Sequence, residues 1–248
     1  NTTQYETVAA NETVALVLSP DSPYTDREAA QVRRFVAAGG TLVIAEDFGP
    51  HSNALLAAIG ATARFDGAIT RDERYTYQSP AMPLARNISN HTLTTGVSRL
   101  TLNHATVIEP NEAQPVVTTS GFAYLDRNRN EELDDNESLG AYPVVTVEAI
   151  GQGEVVAVSD PSLFINAMAD RSGNRAFILN AFGAGEQVLL DYSHAAQLPP
   201  LALALTLVRG SPALQVLVVG GLVSLAAVWG QGRLSARLRR SDRDAVAT

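Results

Sequence analysis

The most specific chemical pattern in this 248-residue chain is the acidic run DRNRNEELDDNE at residues 126–137. Numbered as a twelve-residue calcium loop, it puts Asp126, Asn128 and Asn130 at positions 1, 3 and 5, and the backbone carbonyl of Glu132 at 7. Asp134 falls at 9 and a bidentate-capable Glu137 at 12. Ca²⁺ is a hard cation that takes roughly six to eight oxygen ligands, and this spacing supplies them in register. The apolar Leu133 at position 8 suits such a loop. Glu131 at position 6 does not, because that position turns sharply and favours Gly. The flanking runs GFAYL and AYPVVTV read as strands, which puts the loop at a hairpin tip and makes a bound Ca²⁺ a structural clamp. A solvated acidic hairpin tip is the alternative.

Other chemistry is thinly supported. Cysteine is absent, which excludes disulfides, thiolate metal sites and a Cys nucleophile. The four His show no HExxH or paired spacing that would hold zinc. A Ser-His-Asp set can be assembled from Ser193 or Ser162, His194 or His104, and Asp160 or Asp191, but such triples arise freely in any chain. They support the alternative reading, a cell-surface hydrolase working through a serine or a carboxylate. Asp160-Pro161-Ser162 reads more simply as the end of a strand whose carboxylate caps a helix. Glu46, Asp47, His51, Asp160 and Asn166 stand as weaker ligand-site candidates. Asn-x-Ser/Thr triplets begin at Asn1, Asn11, Asn87, Asn90 and Asn136. Of these, Asn87 and Asn90 are the foremost glycan candidates, followed by Asn11 and Asn136.

The elements that must position these residues follow from periodicity. Residues 13–19 (TVALVLS) form a β-rich apolar run ending at Pro20. Thr25 and Glu28 make a capping box ahead of a helix whose Ala29, Val32, Phe35 and Val36 share one face, and Gly39-Gly40 ends it. A second buried strand follows at 41–45 and a short helix at 53–59. Strand, helix, strand, helix predicts a parallel sheet with helices on its faces. Residues 67–98 are polar and aperiodic and read as a surface excursion or small insertion. Strand-like runs return at 100–108, 115–119, 122–125, 142–149 and 154–158, the last two joined by a Gly151-Gln152-Gly153 turn. A helix from Asn174 and a strand at 188–190 close the body.

Composition bears on location. All 18 basic residues are Arg, against 26 carboxylates. Residues 1–210 carry a net charge of −11 and residues 211–248 one of +3. A body of that sign repels nucleic acid, so no nucleic-acid partner is expected. The Lys-free, acid-rich composition points to life in concentrated salt, whereas a GC-rich genome would explain the missing Lys alone. Residues 212–230 (PALQVLVVGGLVSLAAVWG) carry no charge and span about 28 Å as a helix, close to a hydrocarbon core of about 30 Å. Trp229, Arg233, Arg237, Arg239 and Arg240 follow or close this run. The positive-inside rule then puts the tail in the cytoplasm and the body outside.

The runs FVAAGGTLVIAEDFG and GQGEVVAVSDPSLFINAMADRSGNRAFILNAF resemble the membrane-anchored family labelled domain of unknown function 4350, which is similar to class I glutamine-amidotransferase-like proteins. That resemblance implies a flavodoxin-like α/β fold. It also implies that a signal or membrane segment and an earlier strand-helix unit precede Asn1. The fold's nucleophile would be a Cys on a Gly-x-Cys-x-Gly turn; the acidic turn at 46–51 has none, so glutaminase chemistry is excluded. Genes of relatives near AAA-type ATPases imply assembly or secretion work.

The expected architecture is therefore an extracytoplasmic α/β domain at 1–195, a flavodoxin-like parallel sheet with helices on both faces and a strand-rich second half carrying a hairpin insertion. A juxtamembrane segment at 196–211, one transmembrane helix at 212–230 and a cytoplasmic Arg-rich tail at 231–248 follow. The expected function is a membrane-anchored binding or assembly domain, with structural Ca²⁺ as its one cofactor, and the membrane and a membrane or surface protein as partners.

Overall fold

The computed structural model describes residues 2–183 and 185–195, together with Ser211, Gln215, Val216 and Gly220. It divides at residue 196 into two units. In the second, Gln215, Val216 and Gly220 are helical. The expected membrane helix, the juxtamembrane segment and the Arg tail otherwise lie outside the described residues. Among the described residues no helix is long and apolar enough to cross a membrane.

The first unit opens with β1 (Thr13–Leu18), α1 (Asp26–Ala37), β2 (Thr41–Ala45) and α2 (Ser52–Ile59). Thr25 and Glu28 form the expected reciprocal capping box at the start of α1. Short strands follow: β3 (Arg64–Phe65), β4 (Ile69–Asp72), β5 (Leu84–Ala85), β6 (Asn87–Ile88), β7 (Leu100–Thr101) and β8 (Ile108–Glu109). Longer strands return with β9 (Gln114–Thr118), β10 (Ala123–Asp126), β11 (Pro143–Ile150) and β12 (Gly153–Val158), and the unit closes with α3 (Asn166–Ala169), α4 (Asn174–Phe182) and β13 (Gln187–Asp191).

The central sheet has seven strands in the order β13-β1-β2-β12-β11-β9-β6. Neighbours are parallel from β13 through β12 and antiparallel from β12 to β6. The sheet is thus mixed, where strand-helix alternation had led to a parallel one. The tight turn at Gly151-Gln152-Gly153 forces the reversal. It pairs β12 antiparallel with β11, and from there direction alternates, so β11 and β6 run against β1 and β2 while β9 runs with them.

Both sheet faces are covered, which is why β1, β2 and β12 read as unbroken apolar runs. Successive residues alternate between two cores. Ala15, Val17, Leu42, Ile44, Val155 and Ala157 face α1 and α2, meeting Val32, Phe35, Val36, Leu55, Leu56 and Ile59. Val14, Leu16, Val43, Val156 and Val158 face the opposite side, with Phe177 and Ala181 of α4 and with Leu93 and Leu163 of two short 3-10 turns.

Three further expectations change. Residues 67–98 are a packed part of the body: Thr70, Arg71, Asp72, Ala81, Ala85, Leu93 and Val97 are buried, and β6 joins the main sheet. Polar side chains there have internal partners, which polarity alone cannot reveal. Residues 100–108 do not form one strand. His104 takes φ 53°, and its N–H bonds to Ala81 while that of Thr106 bonds to Ser159, so the run divides between neighbours. Finally, β10 pairs with β4 and β11 with β9 and β12. The acidic loop therefore joins strands of two different sheets and is not a hairpin tip; a single bridge, Ala123 to Gly140, links its flanks.

The β11–β12 turn is tied to the end of α1, where the Gln152 N–H donates to Ala37 O and the Glu154 N–H to Gly40 O. A Cβ on Gly153 would lie 2.2 Å from Gly40 O and 2.3 Å from Val36 O, both backbone atoms with little freedom to move. Gly153→Ala should therefore lower unfolding free energy by roughly 2–4 kcal/mol in chemical denaturation, the scale of overpacking and strain. Gly121→Ala, where a Cβ meets nothing within 4 Å, should change it by less than about 0.5 kcal/mol.

Candidate functional site at the carboxyl ends of the parallel strands

Open α/β sheets place ligands beyond the carboxyl ends of their parallel strands, because loops diverge there and leave a crevice. In this sheet Leu18, Ala45 and Val158 are aligned across β1, β2 and β12. The next residues, Ser19, Glu46 and Ser159, therefore form one row, with Asp160 following. The hydroxyls of Ser19 and Ser159 are buried and make no hydrogen bond, and Ser19 has φ 34°, a conformation that L-residues seldom adopt.

Glu46 is fully buried. Its Oε1 accepts the N–H groups of Asp47 and Gly49, each at 2.9 Å, and its Oε2 accepts the Ser52 hydroxyl at 2.9 Å. It thus ties the end of β2 to the start of α2. A Cβ on Gly49 would fall 2.5 Å from Glu46 Oε2 and displace the carboxylate from these donors. Asp47 accepts from the Phe48 N–H. His51 precedes α2 without capping it through its side chain, and Asn166 opens α3 on the surface. Of the five weaker candidates, Glu46, Asp47 and Asp160 gather at this edge.

Asp160 does what its sequence context predicts. Its Oδ1 accepts the Ser162 N–H at 2.8 Å and caps the short turn Pro161–Phe164. Its Oδ2 accepts the Asn103 N–H at 2.7 Å. Asn103 also donates its amide to Ser162 Oγ at 3.3 Å, and its Oδ1 lies 3.1 Å from His104 Nδ1. Burial pushes the Asp160 carboxyl up to about 6; the N–H groups of Asn103 and Ser162 oppose the shift and the nearby Asp47 charge adds to it.

The Ser-His-Asp sets that can be assembled from the sequence are not brought together by hydrogen bonds. The Ser193 hydroxyl bonds to Asp191, and Asp191 also accepts the hydroxyls of Tyr5 and Tyr24 at 2.9 and 3.0 Å. Burial and the Asp191 charge raise both tyrosines above their ordinary range. His194 instead meets Ser22, with Nδ1 3.1 Å from the hydroxyl, and stacks on Tyr24. Its Nε2 lies 3.5 Å from Glu28 without a hydrogen bond.

The acidic loop folds around its own donors. Asp126 is fully buried; its Oδ1 accepts from Asn130 N, and its Oδ2 accepts Arg71 Nε at 2.7 Å and the Glu131 N–H. The amides of Asn128 and Asn130 donate to Asp134 Oδ2 at 2.6 and 3.0 Å, and Glu137 returns to accept the Arg127 and Asp134 N–H groups. Arg129 and Glu131, at positions 4 and 6, take φ 60° and 70°, so Glu131 adopts the turn conformation that a calcium loop requires despite its side chain. Among the described residues, however, no group of three or more His, Asp or Glu is placed to hold a metal ion. Arg129 lies 5.5 Å from the Phe48 ring and Arg127 pairs with Asp66, fixing the loop against the strand-end loops. Sequence reasoning missed Arg71. Its one signal was a cation inside the short strand pattern ITRD, facing inward.

The sequons differ in setting. Asn11, Asn87, Asn90 and Asn136 are all exposed, but the Asn87 amide already donates to Thr119 O at 2.7 Å.

The model of the family described as domain of unknown function DUF4350 matches residues 1–182. No curated protein matches the chain in sequence. Among solved structures, the domain titled mmIFT52 N-terminal domain superposes with a TM-score of 0.52 at 16% identity, over 72% of this chain and 77% of that one. The β-galactosidase of Rahnella sp. R3 gives 0.41 at 16% identity, over 70% of this chain and 22% of its own. The cytoplasmic protein STM1381 of Salmonella typhimurium LT2 gives 0.36 at 10% identity, over 71% and 70%. Only the first of these three scores bears on the fold, and at its identity it bears on nothing else.

The raised Asp160 carboxyl makes a signed prediction. Its folded value of about 6 exceeds the ordinary 3.8, so the stability it contributes is complete below about pH 4 and is lost as pH rises through 6. The loss is about 3 kcal/mol. Asp160→Asn removes this slope, so the variant's deficit in unfolding free energy should be roughly 2 kcal/mol smaller at pH 7 than at pH 4. A deficit independent of pH would contradict the assignment.

Proposed function

We propose that this chain, which belongs to the DUF4350 family, is a non-catalytic binding and assembly domain held at the outer face of a membrane by residues 212–230. The observation that carries the non-catalytic reading is the state of its best-placed carboxyls. Glu46 and Asp160 are each engaged by backbone N–H groups that define the strand ends. A catalytic base must be free to take a proton from a substrate, and these carboxyls are committed to loop geometry. The hydrolase alternative would rest on the Ser22–His194 contact, which lacks a hydrogen-bonded acid on Nε2.

Support for anchoring comes from sequence: an uncharged run of membrane length followed by Arg233, Arg237, Arg239 and Arg240. An outward body also makes Asn90, Asn11 and Asn136 the exposed glycan sites of this reading, while the Asn87 amide is held by Thr119 O. Its partner in this reading is a membrane or surface protein.

In the same proposal the acidic loop holds a structural Ca²⁺ through Asp126, Asn128, Asn130, Glu132, Asp134 and Glu137. The positive φ at Arg129 and Glu131 supports this reading, and the Arg71 pair on Asp126 weighs against it.

Two experiments test these readings. Membranes containing the full chain, washed in alkaline carbonate, should retain it, and external protease should digest the body while sparing a tag on the C-terminus; release by carbonate or digestion of the tag would refute the topology. Calorimetric titration of Ca²⁺ into the chain at high salt should give a saturable heat that Glu137→Gln weakens at least tenfold. No heat, or an unchanged isotherm in the variant, ends the calcium reading.

A further inference from the structure

An open polar pocket lies where the α2–β9 insertion meets the β9–β10 turn, lined by none of the strand-end row and by no residue of the acidic loop. It has a volume of about 320 Å³ and is lined by Tyr75, Arg86, Asn87, Ser120 and Gly121. That size lies at the lower end for small-ligand sites, roughly 300–1,000 Å³. We propose that this cavity binds a hydroxylated carboxylate, the chemistry of a sugar acid.

The first observation is a pair of arginines fixed by aromatic rings. The Arg86 guanidinium lies 4.4 Å from the centroid of the Tyr75 ring. Arg74 lies 5.6 Å from the same ring and 5.1 Å from that of Phe122, and the two rings are 6.1 Å apart. Stacking restrains the plane of a guanidinium while leaving its N–H edge free, so less entropy is lost when a carboxylate takes the fork. The ion pairs among the described residues use Arg34, Arg71, Arg127 and Arg175. No described carboxylate reaches Arg74 or Arg86.

The second observation concerns the sign and size of the field. Asp72 lies beneath the cavity, accepting the Ser120 hydroxyl at 2.5 Å and the N–H groups of Arg74 and Tyr75. Glu73 is exposed in the same turn. These two negative charges offset much of the arginine field. A monoanionic carboxylate is accommodated there more readily than a phosphate dianion.

The remaining lining suits hydroxyl groups. Asn87 uses one amide N–H on Thr119 O and keeps a second N–H and its carbonyl oxygen. The Tyr75 hydroxyl can donate and accept, and Phe122, 38% exposed, offers an apolar surface at the rim. Gly121 leaves open space where a side chain would stand, and its φ is not in the left-handed region. A larger side chain at this lining position can therefore be placed without strain in the fold.

The test is calorimetry on the full chain at constant ionic strength, with glucuronate, glucose, acetate and inorganic phosphate as probes. Glucuronate should bind saturably and more tightly than the other three. Arg86→Gln should weaken it at least tenfold, and Gly121→Leu, which puts an apolar side chain on the pocket wall, should weaken it by a similar factor, with both variants unfolding at the temperature of the parent. The proposal is overturned if glucuronate does not saturate, or if both correctly folded variants bind it as the parent does. Acetate binding as tightly as glucuronate overturns the hydroxyl part, and phosphate binding more tightly overturns the choice of carboxylate. Should Arg86→Gln fail to fold, Gly121→Leu decides alone.

Discussion

A carboxylate taken out of water costs several kcal/mol unless donors surround it, and this fold uses that requirement as its fastener. Glu46 gathers the β2–α2 turn. Asp160 joins the end of β12 to Asn103. Glu148 on β11 accepts the Thr62 and Ala63 N–H groups after α2, and Asp72 draws in Arg74, Tyr75 and Ser120. Each acid binds a loop to a strand through backbone donors. In a chain without lysine or cysteine, these contacts do the work that disulfides or cation pairs do elsewhere. Asp126 departs from the pattern by taking Arg71 as its partner.

The same requirement explains what could be read from the sequence. Apolar periodicity gave β1, α1 and β2, because burial of side chains on a repeating element leaves a repeating trace. The capping box at Thr25 and Glu28 and the cap at Asp160 were readable because the partners lie within three residues. Glu148 and Asp72 were not, since their donors are fixed by tertiary packing and leave no local spacing. For that reason residues 67–98, rich in polar groups satisfied across the fold, resembled a surface excursion. The sheet is less parallel than strand-helix alternation implies for a related reason: strand runs do not state their direction, and the two-glycine turn that reverses it is a local signal with a consequence for the whole sheet.

At the strand ends the legible part was the residue identities, Glu46, Asp47 and Asp160; their gathering at one edge comes from the shared register of β2 and β12. The acidic loop shows the opposite case. Its ligand types were found by spacing, yet the pairing of its flanks with different sheets and the inward Arg71 could only come from the fold. The stacked arginines over Tyr75 belong to that second kind, since Arg74 and Arg86 are separated by the β5 strand and brought together by it.

The pairing of β13 with β1 joins residues 13–17 to 187–191, nearly the full length of the unit. A ribosome delivers β1 early and its edge partner last, so during synthesis the apolar strand TVALVL waits with an open hydrogen-bonding edge. The family match stops at residue 182, five residues short of the strand that closes this edge. The end of the family match and the end of the folded sheet are therefore different places on this chain, and a nascent body released between them would carry β1 with one edge unpaired.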